Sequence, residues 1–334
     1  MNWLITGGCG FIGSSLIRYL REQGEDAHIR IVDNLSVGTR DDLAAVTDFR
    51  DTPADTVAPP PAPDGVTVEL VVGDILDEAL ALKATEGFDA IVHLAANTGV
   101  APSVANPRLD CMTNVVGLLN YLEGARINQV PRFVLASSGG TVIGECEPPI
   151  NEEMVPHPVS PYGASKSAGE GYCSAYFGTF GIQTTALRFG NVYGPGSSHK
   201  NSVVAKFLRR ALNQEIFEIY GDGKQTRDFI YIDDLLGAVY KAATVPDVGG
   251  EVFQIATSAE TTVNEVADKL LTVLGDLGVH GVEVKHANPL PGEIRRNYAD
   301  TSKAARMLGW QPEVALDDGL RRTAQWFIER LEPA

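Results

Sequence analysis

Tyr162 and Lys166 stand one helical turn apart in Ser160-Pro161-Tyr162-Gly163-Ala164-Ser165-Lys166, a spacing that puts a phenol and an ammonium on one face of a helix. Ser followed by Pro suits a helix N-cap and first helical position, so Tyr162 falls in the first turn. An ammonium beside a phenol favours the phenolate, lowering the tyrosine pKa from about 10 toward working pH and giving a usable general base. Standing alone, such a pair is also what an ordinary helix surface carries. A second constellation sits far upstream. Thr6-Gly7-Gly8-Cys9-Gly10-Phe11-Ile12-Gly13 satisfies GxGxxG through Gly8, Gly10 and Gly13, and GxxGxxG through Gly7, Gly10 and Gly13. Missing side chains let the backbone turn tightly and approach a pyrophosphate, while the helix that follows supplies N–H donors at its positive end. Asp33 lies 20 residues past Gly13, where a carboxylate accepts hydrogen bonds from an adenosine ribose and disfavours a 2′-phosphate. The expected cofactor is therefore NAD rather than NADP.

These groups need a scaffold that brings strand ends together. Short β-rich runs alternate with longer helical patterns up to about residue 190: strands at Asn2–Thr6, His28–Val32, Thr67–Val72, Ala90–Leu94, Arg132–Ser137 and Thr184–Phe189, and helices including Phe11–Gln23, Asp110–Ile127 and Pro161–Phe180. Strands separated by helical crossovers imply an α/β fold, a doubly wound parallel Rossmann sheet covered on both faces. The segment Asp48 to Asp64 interrupts the rhythm with Pro53, Pro59, Pro60, Pro61 and Pro63, and is expected to be an extended surface excursion. Residues 191–334 are less regular. They predict a smaller C-terminal α/β lobe, with strands around Ile216–Tyr220 and Phe229–Ile232 and helices near Asp233–Ala243, Thr262–Leu274 and Asp317–Glu329. This lobe should bind substrate and exchange some elements with the 1–190 NAD-binding domain. Gly73-Asp74-Ile75 and His93-Leu94-Ala95-Ala96 follow strands and should line the cofactor crevice, whereas strand alternation aims His93 into the packing.

Composition excludes other classes. Lys+Arg 27 against Asp+Glu 43 gives a net charge of −16, with no basic block, so neither nucleic acid nor an anionic membrane is an expected partner. No apolar run approaches the roughly 18 residues of a membrane span, and Trp3-Leu4-Ile5 runs straight into the glycines, leaving no room for a signal peptide. Four widely spaced cysteines without CxxC, and six histidines without HxxxH, read as free thiols in a reducing cytoplasm with no metal site.

Taken together, TGGCGFIG, DNLSVG at Asp33–Gly38, HLAA at His93, SPYGASK at Ser160, LRFGNVYGPG at Leu187 and IYGDGKQTRDFIYIDD at Ile219 resemble the extended short-chain dehydrogenase/reductase family. Within it the chain looks like the nucleotide-sugar epimerases and dehydratases, most of all the UDP-glucose 4-epimerase type. The resemblance implies Tyr162 as base, and Lys166 as the residue holding both the tyrosine and the nicotinamide ribose. It implies a cofactor site of Gly7, Gly10, Phe11, Ile12, Gly13, Asp33, Asn34, Ser36, Gly38, Asp74, Ile75, Leu94, Ala95, Ala96, Thr98, Ser137 and Phe189, completed by Tyr162 and Lys166. Family members also place a Ser or Thr hydroxyl after the fifth strand; here that position falls on Gly139, which leaves Ser138 and, second, Thr141 as the assisting hydroxyl. Dehydratases would carry Asp-Glu just beyond, and decarboxylases a Glu. This chain has Gly139-Gly140-Thr141, which points to oxidation and re-reduction at one carbon. For a UDP-sugar substrate the resemblance implies Asn191 and Arg227 at the diphosphate, Glu218 and Tyr220 beside uracil, Glu293 at a ribose, Ser202 and Val203 among the further contacts, and Asn297 gating the sugar's 2-substituent. It also implies a homodimer packed through the Asp110–Ile127 and Pro161–Phe180 helices.

Overall fold

The computed structural model describes residues 1–24, 27–60, 65–288 and 295–331. Strands β1 (Trp3–Thr6), β2 (Ala27–Asp33), β3 (Arg50–Asp51), β4 (Val66–Val72), β5 (Ala90–His93), β6 (Arg132–Ser138) and β7 (Gln183–Phe189) follow in chain order. Beyond them come β8 (Asn191–Tyr193), β9 (Phe217–Tyr220), β10 (Thr226–Arg227), β11 (Phe229–Tyr231), β12 (Glu251–Ile255), β13 (Thr261–Thr262) and β14 (Val284–Ala287). Eight of these form one sheet in the order β12-β7-β6-β5-β1-β2-β4-β3, and every pairing in it is parallel.

Alternation along the strands builds two cores. Trp3 and Ile5 of β1 join Ile29 and Ile31 of β2 on one face, beneath the helices Phe11–Glu22 and Ile232–Thr244. Leu4 and Val32 point the other way, with Ile91, Phe133 and Leu135, beneath the helices Gly117–Ile127 and Pro161–Phe180. A strand buried on both faces is what a doubly wound parallel sheet requires. The strand order reverses at β1, which has β2 on one side and β5 on the other. A crevice therefore opens at the carboxyl ends of β1 and β5, where ligands of such sheets sit.

One expectation changes in detail and two gain detail. The helix expected at Asp110–Ile127 starts earlier, at Pro107, because Asn106 accepts from the Leu109 N–H at 3.0 Å and caps it. It then widens to a π-helical turn at Met112–Val116 before continuing as Gly117–Ile127, and the wide turn carries Asn114 inward. The proline-rich segment runs over the surface as expected, its described residues exposed or half-buried, but it is anchored. Arg50–Asp51 pairs with β4 as an edge strand, and the buried Arg30 ties the following chain to the sheet through the Ala58 carbonyl at 2.5 Å; Pro61 and Pro63 lie outside the described residues. After residue 190 the chain also returns to the sheet, with β12 pairing to β7 and Asp233 of the helix Ile232–Thr244 held by Arg18 at 2.5 Å.

The rest of the described C-terminal part consists of the strand pairs β8–β11, β9–β14 and β10–β13 with the helices Val203–Leu212, Val263–Asp276, Ser302–Leu308 and Leu316–Leu331. Its apolar residues Phe207, Phe217, Leu270 and Phe327 run continuously into the first core. Among the described residues no helix is long and apolar enough to cross a membrane.

Candidate active site

The glycine loop leaves β1 at the strand-order reversal. Gly7 has φ +72°, and a Cβ there would lie 2.8 Å from the Ala95 nitrogen beyond β5, so the two strand ends touch only because Gly7 has no side chain. A Cβ on Gly13 would run into the Gly7 carbonyl, and one on Gly38 into the Cys9 carbonyl. Gly38 thus seats the turn after β2 on the loop. The helix beginning at Phe11 has no side-chain cap and no acid in its first turn, leaving its first N–H groups open to an anion. Asp33 closes the far side. Its carboxylate accepts from the Cys9 N–H at 2.9 Å and the Leu35 N–H at 2.8 Å; burial pushes its pKa up while those backbone donors oppose the rise. An uncapped helix end, a side-chain-free cradle and small Ala95 and Ala96 fit a dinucleotide. Of the remaining expected cofactor residues, Asn34 binds Asp74 at 3.1 Å, Ile75 packs inside, and Leu94, Ala96 and Thr98 follow β5 with His93 buried behind them against Tyr121 and Phe133. Ser137 differs from expectation in that its hydroxyl is buried and donates to Glu170 at 2.6 Å.

Ser160 caps the catalytic-candidate helix by accepting from the Gly163 N–H at 3.2 Å, with Pro161 in the first turn. Lys166 Nζ lies 5.7 Å from the Tyr162 ring centre and donates to the Ala136 carbonyl at 2.8 Å. Burial draws Lys166 down to about 8, against the pull of Asp110 and Glu170. Tyr162, in contrast, is pushed up to about 12 by burial and by Asp110. This corrects the expected drop in the tyrosine pKa, because the neighbouring ammonium is itself desolvated and bound to a carbonyl, and the phenol sits in buried surroundings near a carboxylate.

The short helix Gly139–Ile143 rests directly on this one, since a Cβ on Gly163 would meet the Thr141 carbonyl. Thr141 Oγ1 is buried with no hydrogen-bond partner, and Ser138 ends β6 half-buried. Beside them lies a narrow cleft lined by Gly139, Gly140, Phe189, Asn191, Gln254 and Asn297 among others. The Asn297 amide fills the space a Gly140 side chain would take. The structure therefore gathers Phe189, Asn191 and Asn297 at one place.

Other expected substrate residues lie along the lobe. Half-buried Arg227 donates to its neighbour's carbonyl, Thr226 O, at 2.7 Å. Asp228 and Asp233, the acids adjacent in sequence, are held instead by Thr257 and by Arg18. Glu218 accepts from Arg210 and from the Tyr220 hydroxyl, both at 3.0 Å. Ser202 Oγ is buried and unpartnered at the start of the helix Val203–Leu212. Near them in the lobe, Arg295 and Arg296 are paired with Asp222 and Glu260. Glu293 lies outside the described residues.

Several groups escaped the sequence reading. Asn114 accepts from the Asn97 N–H at 2.8 Å, and its Nδ2 lies within reach of Asn97 O, Asp110 Oδ1 and Ser165 Oγ at 3.0–3.1 Å. Arg188 binds Glu170 bidentately at 2.9 and 2.8 Å, both buried. The available signal was Glu170's place one turn beyond Lys166 on the same helix face.

A dinucleotide cradle at a sheet reversal, joined to a Tyr/Lys pair and a small polar cleft, defines an enzyme that oxidises or reduces a hydroxylated substrate with a bound nicotinamide. Residues 3–256 match the NAD dependent epimerase/dehydratase family. The chain is 36% identical over 327 residues to a putative UDP-glucose 4-epimerase of Methanocaldococcus jannaschii, covering 97% of both chains. It superposes with TM-score 0.87 and 34% identity on a UDP-glucose 4-epimerase of Thermotoga maritima solved with UDP-glucose, over 99% of this chain and 100% of that one. It also superposes with TM-score 0.84 and 31% identity on an NAD-bound dTDP-glucose 4,6-dehydratase of Streptomyces venezuelae, over 99% and 98%. The chain belongs to the NAD dependent epimerase/dehydratase family, whose members act on nucleotide sugars, and its cofactor is NAD.

Proposed function

We propose that the chain inverts C4 of a UDP-sugar through a transient 4-keto sugar. The observation that carries the choice between epimerase and dehydratase is the acid content of the cleft. Its one carboxylate among the described lining residues, Asp228, is held by Thr257 Oγ1 at 2.6 Å, the Thr257 N–H at 2.7 Å and the Ala299 N–H at 3.3 Å. A dehydratase needs a free acid–base pair for the proton at C5 and the hydroxyl at C6; Gly140-Thr141 stands where that pair would be. One-carbon chemistry needs only the tyrosine.

In this reading Gly7, Gly10, Gly13 and Asp33 hold the dinucleotide. Bound NAD supplies the hydride acceptor and donor at C4. Tyr162 takes the 4-hydroxyl proton and returns it, with Ser138 or Thr141 sharing the hydrogen bond, and Lys166 holds the phenol's charge in place. Arg227 and Asn191 grip the diphosphate, Arg227 through a planar fork suited to phosphate. The sugar is tethered only by its nucleotide and so is free to present either face to the nicotinamide. The test is to mix purified protein and NAD with UDP-galactose, UDP-N-acetylgalactosamine or UDP-glucuronate and follow the anomeric protons by NMR. Interconversion of a C4-epimeric pair is expected. A persistent keto product would place the chain with the dehydratases, and no reaction of any of them would refute the epimerase reading.

We infer a homodimer from the same helices. Leu109, Met112 and Tyr172 are exposed apolar side chains on the segments Pro107–Cys111, Met112–Val116 and Pro161–Phe180, apolar surface of the kind an interface covers. Light scattering should give twice the chain mass, and Leu109→Glu with Tyr172→Glu should halve it; a monomeric wild type refutes the dimer.

A further inference from the structure

The cleft wall contains a polar group that the proposed chemistry leaves unused. Gln254 sits on β12, in register with Arg188 of β7, and is 1% exposed. Its backbone N–H is satisfied by Glu152 Oε1 at 2.7 Å, but its side-chain Nε2 is buried without any partner. Burying an amide donor with no acceptor is costly and rare in folded proteins. Such a position persists when its partner arrives from outside.

Where the amide lies says what that partner is. Gln254 lines the cleft together with Gly139, Asn191 and Asn297. A Cβ on Gly139 would be 2.7 Å from Gln254 Oε1, so the glycine is what lets the carboxamide occupy that part of the wall. Gln254 also comes from the late strand β12, so its presence depends on the chain's return to the sheet.

We propose that Gln254 is a substrate-contacting residue: its carboxamide, seated against Gly139, hydrogen-bonds an oxygen of the sugar at that wall of the cleft. This rests on the reading of the cleft as a UDP-sugar site. A carboxamide both donates and accepts, so it can bind a hydroxyl of either configuration and a carbonyl without ionising. It thus suits a sugar that passes through an oxidised state and leaves with its hydroxyl inverted.

The experiment uses the full chain with NAD, UDP and whichever UDP-sugar the wild type interconverts. Calorimetry gives the UDP affinity and steady-state kinetics gives kcat/KM for wild type, Gln254→Leu, Gln254→Asn, Gly139→Ala and the Gly139→Ala/Gln254→Leu double variant. Gln254→Leu removes the donor, Gln254→Asn withdraws it by one methylene, and Gly139→Ala displaces it. Each should lower kcat/KM about ten-fold, the worth of one neutral hydrogen bond, while the UDP affinity stays within about two-fold. The double variant should be no worse than the poorer single one, because both remove the same contact. Single variants with wild-type kcat/KM, or with UDP and UDP-sugar weakened alike, would overturn the assignment while leaving the epimerase standing. A wild type that binds UDP but no UDP-sugar would overturn the sugar-site reading, and the assignment with it. Should Gln254→Leu fail to fold, Gly139→Ala and Gln254→Asn carry the same test.

Discussion

Tyr162→Phe is expected to lower kcat by roughly 10³-fold, the scale of a lost general acid–base group, while NAD and UDP bind as in wild type. The ring, the Ser160 cap and the packing of the first helical turn are untouched by removing one oxygen. The proton acceptor alone is lost. The separation of kcat from binding matters, because a variant that also lost NAD affinity would show Tyr162 to be a structural or cofactor-holding residue, not the base. The pH behaviour adds a check. With burial and Asp110 pushing the phenol up to about 12, the phenolate fraction, and the rate with it, should rise with pH on the alkaline side of neutrality. Tyr162→Phe should abolish that rise along with the rate. Residual activity within ten-fold of wild type, with the same pH profile, would remove Tyr162 from the mechanism.

The same residue shows where sequence stops being informative. The Tyr162/Lys166 spacing, the Ser160 cap and the glycine loop are legible because each is a property of a few consecutive residues: helix periodicity, an N-cap, a chain that must turn without side chains. The direction of the Tyr162 pKa is not legible. It depends on solvent exclusion and on Asp110, which reaches the site only through the capped and widened helix at Pro107–Val116. Gln254 is hidden for a related reason. Glu251–Ile255 falls in the irregular stretch after residue 190, at residues where no strand is expected, and only its parallel pairing with β7 puts Gln254 next to Gly139. The vacancy at Gly139 was visible in the sequence, but its neighbour, more than a hundred residues away, was not. The proline-rich segment shows the converse. Its composition suggests exposure, which Arg50 and Asp51 keep, but not its anchoring: the buried Glu69 accepts from Arg50 and Thr52 at 3.1 and 2.7 Å and holds its start as an edge strand.

Breaking the Glu170–Arg188 pair should have the largest effect on stability. Glu170 accepts from Arg188 Nε and Nη2 and from Ser137, and both charged side chains are almost fully buried, at 7% and 3% exposed. Glu170→Ala leaves a guanidinium in the interior without its counter-charge, a change that costs about 3–5 kcal/mol. Replacing both partners, as Glu170→Leu with Arg188→Met, removes the buried charge itself and should recover most of that loss. Denaturant unfolding of the three variants measures both quantities. Glu170 also favours the protonated form of Lys166, so its loss must draw the lysine below about 8 and empty the ammonium at a lower pH. The lysine contribution to stability has a definite sign. Its folded pKa lies below the unfolded 10.5, so the cost of burying the cation is fully present below about pH 8 and is relieved as pH rises toward 10.5. In Glu170→Ala that relief should begin at lower pH than in wild type. Unfolding free energies that differ between Glu170→Ala and wild type by less than 1 kcal/mol across this range would show that the pair neither holds the fold nor supports the lysine.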